Sequence, residues 1–316
     1  MPYTKILGTG SYLPQKILTN FDLEKMMDTS HDWIVERTGI HERHIVSEHD
    51  TASSMAEEAA RIALAAANLT PNDIGMIIVA TTTPEKIFPS TACLLQQRLG
   101  ISGCPAFDLN SVACNGFIYA MSIADQFIRQ GTANHILVIG SEAISRVLDW
   151  NDRSTAVLFG DGAGAVVLGA SDTPGILSTH LRADGNYQDV LYLPNPSIDK
   201  APAMQMKGSA LFKLAVVRLG QLFDETLSAN NLEAHDIDWL IPHQANIRMI
   251  EAMAKKLNLP MERVAITLDK QGNTSAASIP LALDDAIRRK AIKRGDMLLL
   301  EGIGGGLTWG SVLTRY

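Results

Sequence analysis

NLTPNDIGMIIV (68–79) and NLEAHDIDWLIP (231–242) are the two stretches from which the fold can be read. Each places Asn-Leu first, Asp-Ile five residues on, and then a short apolar run. Turn-forming Asn, Pro and Asp ahead of a few Ile, Val, Leu or Trp residues predict a loop entering a buried strand. Two further pairs follow in the same order. HILVIGS (135–141) parallels MLLLEGI (297–303), each preceded by a helical pattern, and LFGDGAGAVVLG (158–169) parallels GIGGGLTWGSVL (302–313), a Gly-rich turn feeding a strand. Three collinear echoes are the mark of an internal duplication. The halves are expected to divide at residues 1–171 and 172–316.

Strands and helices alternate within each half. TASSMAEEAARIALAAAN (51–68) reads as a helix with a Ser54-x-x-Glu57 capping pattern, GMIIVAT (75–81) as a buried strand, PSTACLLQQRL (89–99) as a helix and CPAFDL (104–109) as a strand. NGFIYAMSIADQFIRQG (115–131) carries Phe117, Met121, Ala124 and Ile128 at helical spacing. The alternation predicts α/β layers with mostly parallel sheets, and a site between the halves where loops from strand ends converge.

The 316 residues are 46% hydrophobic and 19% charged, with three cysteines and a net charge of −7 from 27 basic and 34 acidic residues. That composition fits a globular chain, and its acidity argues against a nucleic-acid partner. No window reaches the roughly 18 apolar residues of a membrane span. MPYTKILGTGSYLP lacks a basic region ahead of an apolar one, so no secretory signal is expected. Cys93, Cys104 and Cys114 are too few for a disulfide framework and fit a reducing cytoplasm with free thiols. Neither CxxC nor HExxH occurs, so no metal site is expected.

Three residues stand at loop-to-helix junctions. Cys114, in NSVACNGF, meets a helix start, where unpaired N–H groups and the helix dipole favour thiolate. His243 follows the apolar run Trp239–Ile241 and Pro242, and Asn273 lies in QGNTSAAS, the expected counterpart of the Cys114 loop. Each has an ordinary structural reading: a buried small residue, a histidine satisfied by a carbonyl, a helix cap. Cys93 and Cys104 read as structural. Gly304-Gly305-Gly306 predicts a tight turn whose N–H groups suit an oxyanion, or a plain hairpin. FGDGAGA (159–165) lacks GK[ST] and reads as structural. A Cys…His…Asn order also occurs in papain-like proteases, but C-G-[SA]-C-[WY] is missing.

ACNGF around Cys114, PHQAN around His243, GNTSAAS around Asn273, FGDGAGA and GGGLTWGS together resemble the thiolase superfamily, and within it the β-ketoacyl-acyl-carrier-protein synthase III family. The likeness runs over almost the whole chain. It implies a thiolase-like fold, two βαβαβαββ halves in a five-layered α-β-α-β-α sandwich, and a homodimer. It implies acetyl-coenzyme A and malonyl-acyl-carrier protein as substrates, with no metal or redox cofactor. Cys114 would be the nucleophile, His243 and Asn273 the donors to the developing enolate, and the backbone N–H groups of Cys114 and Gly305 the oxyanion hole. Asn273, rather than a second His or a Cys, points to the coenzyme A-primed branch.

The resemblance further assigns Trp33, Arg37 and Arg153 to coenzyme A, Phe212 and Ser209 to the pantetheine tunnel, and Phe88 to the acyl pocket near the dimer interface. Lys213, Arg248, Lys255 and Lys256 form the basic patch that an acidic carrier protein requires. Two positions depart from the family pattern. Ser209 stands where Asn is common, and Asn115 where a smaller residue is usual, which is expected to alter the pocket mouth. The competing readings are a secondary-metabolite ketosynthase with another starter, an idle carrier-binding scaffold, and a thioester hydrolase.

Overall fold

The computed structural model describes residues 2–110, 112–195, 198 and 203–316. The first half contains β1 (Tyr3–Tyr12), α1 (His31–Thr38), α2 (Ala52–Ala66), β2 (Met76–Ala80), α3 (Thr91–Leu99), β3 (Ala106–Leu109), α4 (Gly116–Arg129), β4 (His135–Glu142) and β5 (Gly162–Ser171). The second contains β6 (Ile176–Ala183), α5 (Gly208–Asn230), β7 (Trp239–Pro242), α6 (Ile247–Lys256), α7 (Ser278–Arg288), β8 (Met297–Gly304) and β9 (Thr308–Arg315). A small antiparallel pair of strands, Lys16–Thr19 with Glu42–Ile45, flanks the first half.

The sheets repeat one another. The first runs β1-β5-β4-β2-β3 and the second β6-β9-β8-β7, so first, last, penultimate and second strands take the same places in each. The third strand of the second half shrinks to a single parallel bridge between Leu240 and Val264. The duplicated stretches superimpose in detail. Asn68 and Asn231 both sit at φ 54°, a left-handed conformation that Asn tolerates after a helix. Asp73 and Asp236 then cap 3₁₀ turns, accepting N–H groups of Thr70 at 2.7 Å and Glu233 at 2.8 Å. Gly75 and Asp238 donate to His135 and Met297 carbonyls, both at 2.9 Å, and so start the pairings β2–β4 and β7–β8.

Five layers result. Helices α2 and α3 cover the outer face of the first sheet with Met55, Ala59, Ala63 and Leu95. Helices α4 and α7 lie between the sheets, where Phe117, Met121 and Ile128 meet Ile279 and Leu283. Helices α5 and α6 cover the outer face of the second sheet with Leu219, Phe223, Ile250 and Met253. Both faces of each sheet are therefore dry, which explains the unbroken apolar runs of β4 and β8.

Two expectations need correction in detail. The N-cap of α2 is Thr51, one residue ahead of the helix. Its hydroxyl accepts from Ser54 N–H at 3.2 Å while Ser54 Oγ accepts from Thr51 N–H at 2.8 Å. Glu57 instead pairs with Arg61 at 2.7 Å and Arg98 at 3.3 Å. The sheets are also mixed rather than mostly parallel: β2–β3, β2–β4 and β7–β8 pair parallel, whereas β1–β5, β4–β5, β8–β9 and β6–β9 pair antiparallel. FGDGAGA is structural, as read. Asp161 is buried there and accepts from Ser145 N–H at 2.9 Å and Val46 N–H at 2.8 Å. Among the described residues no helix is long and apolar enough to cross a membrane.

Candidate active site

The loops leaving β3, β7 and the Val264 bridge converge at one end of the two sheets. Cys114 lies in a 3₁₀ turn, Ala113–Asn115, that runs straight into α4, and Ser275 opens the matching turn, Ser275–Ala277, ahead of α7. Ala113 at φ 43° and Ser275 at φ 51° are both left-handed, a conformation that costs a side-chain-bearing residue on the order of 1 kcal/mol. The same strained corner thus presents Cys114 from one half and the residues after Asn273 from the other.

The turn between β8 and β9 closes over the cysteine. A methyl group on Gly304 would stand 2.5 Å from the Val112 carbonyl oxygen and 3.0 Å from the Cys114 nitrogen, so only glycine admits this approach. Gly305 follows, packed on Leu191 and Ala113.

His243 is 5% exposed, and its Nδ1 lies 2.7 Å from Ser278 Oγ. Gln244 N–H donates to the same hydroxyl oxygen at 3.4 Å; in the tautomer in which the hydroxyl donates to Nδ1, the ring proton sits on Nε2. Burial pulls the imidazole down to about 3, so the ring is neutral at physiological pH. Gln244 fixes the turn itself, donating to Pro242 and Ala265 carbonyls at 2.8 and 3.1 Å and accepting from Thr267 N–H at 3.0 Å.

Asn273 is held by its backbone. Its N–H donates to Leu158 O at 2.8 Å and its carbonyl accepts from Gly160 N–H at 3.0 Å. Its side-chain oxygen accepts from Ser275 N–H at 2.9 Å, which leaves the carboxamide NH₂ without a partner among the described residues. Buried Arg43 underpins this strand junction by donating to Val157 O at 2.7 Å and to Asn20 Oδ1 at 2.8 Å.

The Cys114 thiol contradicts the expectation of a lowered pKa. Burial pushes it up to about 12; a Ser275 hydrogen bond works against this, and the Glu142 carboxylate pushes the same way as burial. Desolvation outweighs the helix start because the thiol is almost wholly enclosed. The resting thiol is protonated.

One cavity of about 490 Å³ joins these groups to the surface. Cys114, His243 and Asn273 line its floor, Phe159, Leu191, Leu211, Phe212, Met249 and Ile303 its walls, and Trp33, Arg37, Arg153, Asn246 and Arg248 its mouth. Arg37 and Arg153 set their guanidinium carbons 4.8 and 5.1 Å from the centre of the half-buried Trp33 ring. An aromatic face flanked by two cations suits a base bearing phosphates.

Residues 107–185 match the model of a family described as 3-oxoacyl-[acyl-carrier-protein (ACP)] synthase III, and residues 227–316 match its C-terminal counterpart. A β-ketoacyl-[acyl-carrier-protein] synthase III of Methylococcus capsulatus is 59% identical, with 99% of each chain covered. The chain belongs to this family. A second synthase III, from Alkalilimnicola ehrlichii, is also 59% identical over the full length of both chains. The crystal structure of the synthase III from Aquifex aeolicus, 52% identical, superimposes with a TM-score of 0.95, covering 99% of this chain and all of that one. The synthase fold read from the sequence is the fold of this chain.

Several expected site residues fall outside the cavity lining. Phe88 is 85% exposed on the loop ahead of α3, beside Ile87 at 81%. Ser209 is exposed in the first turn of α5, next to cavity-lining Gly208. Lys213 and Lys255 are exposed with no ion pair among the described residues, whereas Lys256 is paired with Asp224 at 2.7 Å. Arg248 lies at the mouth and donates to Glu36 O at 3.0 Å. Asn115 does not reach the pocket mouth. It is fully buried and, with its carboxamide oriented to donate to Gly302 O at 3.2 Å and to accept from the N–H groups of Trp309 and Gly310 at 3.3 Å, ties the Cys114 turn to β8 and β9.

Four supporting residues escaped the sequence reading: Glu142, Gln244, Ser275 and Ser278. Two of them stand in the quoted GNTSAAS, where serines after Asn273 at a helix start were a usable signal.

Proposed function

We propose that this chain initiates type II fatty acid synthesis, condensing acetyl-coenzyme A with malonyl-acyl-carrier protein to give acetoacetyl-acyl-carrier protein, coenzyme A and carbon dioxide. The observation that carries the reading is the single cavity with Cys114, His243 and Asn273 at its floor and Trp33, Arg37 and Arg153 at its mouth. The adenine would stack on Trp33, displacing one guanidinium, and the pantetheine arm would pass Phe212 and Gly208, near Ser209. Cys114 would take the acetyl group, with the N–H groups of Cys114 and Gly305 receiving the tetrahedral oxyanion.

Malonyl-carrier protein would then use the same tunnel, with Lys213, Arg248, Lys255 and Lys256 facing the carrier. Loss of carbon dioxide builds charge on the thioester oxygen. His243, with its ring proton on Nε2, and the Asn273 NH₂, which has no partner among the described residues, would be two neutral donors suited to that charge, which exists only along the reaction path. No metal or redox cofactor is required by this sequence of steps.

Exposed Ile87 and Phe88 support a homodimer in which Phe88 reaches an acyl pocket across the interface. Residues 1–171 and 172–316 would be the two halves of one cytoplasmic subunit. The test is intact-protein mass after mixing with acetyl-coenzyme A, alongside Cys114→Ala. An acetyl adduct absent from the variant and consumed by malonyl-carrier protein is expected. No adduct with any acyl thioester would refute the reading.

A further inference from the structure

Glu142 is a buried carboxylate between the two halves, and the chemistry above does not use it. It ends β4, is 0% exposed, and its oxygens meet only donors among the described residues. Thr82 N–H donates to Oε2 at 3.0 Å and Thr83 Oγ1 at 2.9 Å, while Thr82 Oγ1 lies 3.0 Å from both oxygens. These threonines follow β2 in the first half. From the second half, Ser275 Oγ donates to Oε1 at 2.9 Å. Ser275 stands in left-handed backbone at φ 51°, and its own N–H donates to Asn273 Oδ1 at 2.9 Å. The carboxamide cannot turn over without setting its NH₂ against that N–H, so the turn decides which end stays free for a substrate oxygen. A hydrogen bond to a buried charge outweighs the cost of a left-handed serine. The two sides are also in close contact, since a methyl group on Gly140 of β4 would stand 2.1 Å from the Ala276 carbonyl oxygen.

We propose that Glu142 is a positioning residue for Asn273, holding through the Ser275 hydroxyl the turn that aims the carboxamide NH₂ at the enolate oxygen. The proposal rests on the condensation set out above, in which Asn273 is one of two donors.

A carboxylate suits this place better than an amide. Offering lone pairs only, it serves the threonines and the serine at once. A glutamine would set its NH₂ against Thr82 N–H, or turn it toward Ser275 and leave the serine hydrogen without its acceptor. The charge also bears on Cys114, in the opposite sense: burial raises the thiol, and the Glu142 carboxylate raises it further. Removing that charge favours thiolate. Glu142 should therefore matter to condensation and not to acetylation.

A double-mutant cycle reads the link. Glu142→Gln, Asn273→Ala and the double variant are compared in separate half-reactions, acetylation by intact mass and condensation by the product formed with malonyl-carrier protein. Glu142→Gln alone should slow condensation roughly tenfold or more and leave acetylation within about threefold of wild type. In the Asn273→Ala background it should slow condensation by less than about twofold, because the group it aims is gone. Similar slowing in both backgrounds would overturn the proposal, as would equal losses in both half-reactions or condensation at the wild-type rate in Glu142→Gln. Ser275→Ala, which leaves Glu142 among its threonines, completes the same cycle if the first variant does not fold. If wild type condenses no acyl thioester, the functional reading has failed, and the geometry is still tested by the proton resonances of the Asn273 carboxamide in asparagine-labelled protein, identified by their loss in Asn273→Ala. Their displacement in both Glu142→Gln and Ser275→Ala supports the positioning role, and unmoved resonances overturn it.

Discussion

Glu301 lies on β8, paired with Pro242 just ahead of His243, and should cost the protein stability at neutral pH. It is 1% exposed on β8, its carbonyl accepts from His243 N–H at 2.8 Å, and its Oε1 has no hydrogen-bond partner among the described residues. The side chain faces a cavity of about 60 Å³ lined by Leu219, Phe223, Met253 and Leu257. Lys256 lines it too but pairs with Asp224 instead. Burial, with the Asp224 charge acting in the same direction, pushes the carboxyl up to about 8 from 4.5. A raised acid leaves the folded state binding more protons than the unfolded one, so stability is full below pH 4.5 and falls as pH rises toward 8. At pH 7 the loss spans about 2.5 pH units, or about 3 kcal/mol, against under ~1 kcal/mol at pH 5.

Glu301→Gln removes the ionisation while keeping the shape. Its gain over wild type should grow by roughly 2–3 kcal/mol between pH 5 and pH 7. In thermal melts that corresponds to a rise of about 5 °C in the Tm difference. Urea unfolding followed by circular dichroism at pH 5, 7 and 8.5 measures it. A variant-minus-wild-type difference that is the same at all three values would refute the reasoning.

Three further outcomes follow from the site. Asn273→Ala removes one of the two proposed donors to the enolate and should slow condensation by roughly 10²–10³-fold while leaving Cys114 acetylation nearly intact, read by separate half-reaction assays. Gly304→Ala drives a methyl into the Val112 carbonyl and the Cys114 nitrogen, so acetylation itself should fall at least tenfold, seen as a slower rise of the acetyl adduct. Arg248→Glu should weaken use of malonyl-carrier protein far more than acetylation by acetyl-coenzyme A, and equal losses in both assays would count against carrier docking at that face.

The fold was legible because both copies of the Asn-Leu…Asp-Ile corner solve one problem with one set of residues, a left-handed Asn and a capping Asp. The third strand of the second half was not, because a single bridge at Val264 leaves no alternating or apolar run to read. Cys114, His243 and Asn273 were visible as polar residues at loop ends. Their environment was not, since local sequence reports a helix start but not how much protein covers it. Hence the thiol was expected acidic and is found pushed up to about 12. Asn115 misled for a related reason: its partners in β8 and β9 lie nearly two hundred positions away, and nothing near it in the chain announces them.

That separation bears on how the molecule comes to be made. Chain synthesis runs from the N-terminus, so Cys114 emerges long before Gly302, Trp309 and Gly310, the groups that Asn115 bridges. At 5–20 residues per second, the delay for roughly 190 residues is on the order of 10–40 s. During that interval the half-finished chain lacks the β8–β9 groups that close over Cys114 and meet the Asn115 amide. A contact such as Thr9 to Asp284, 275 positions apart, likewise waits for the last part of the chain. Such remote pairings slow folding and leave the nascent chain open to oxidation and to helper proteins that shield it.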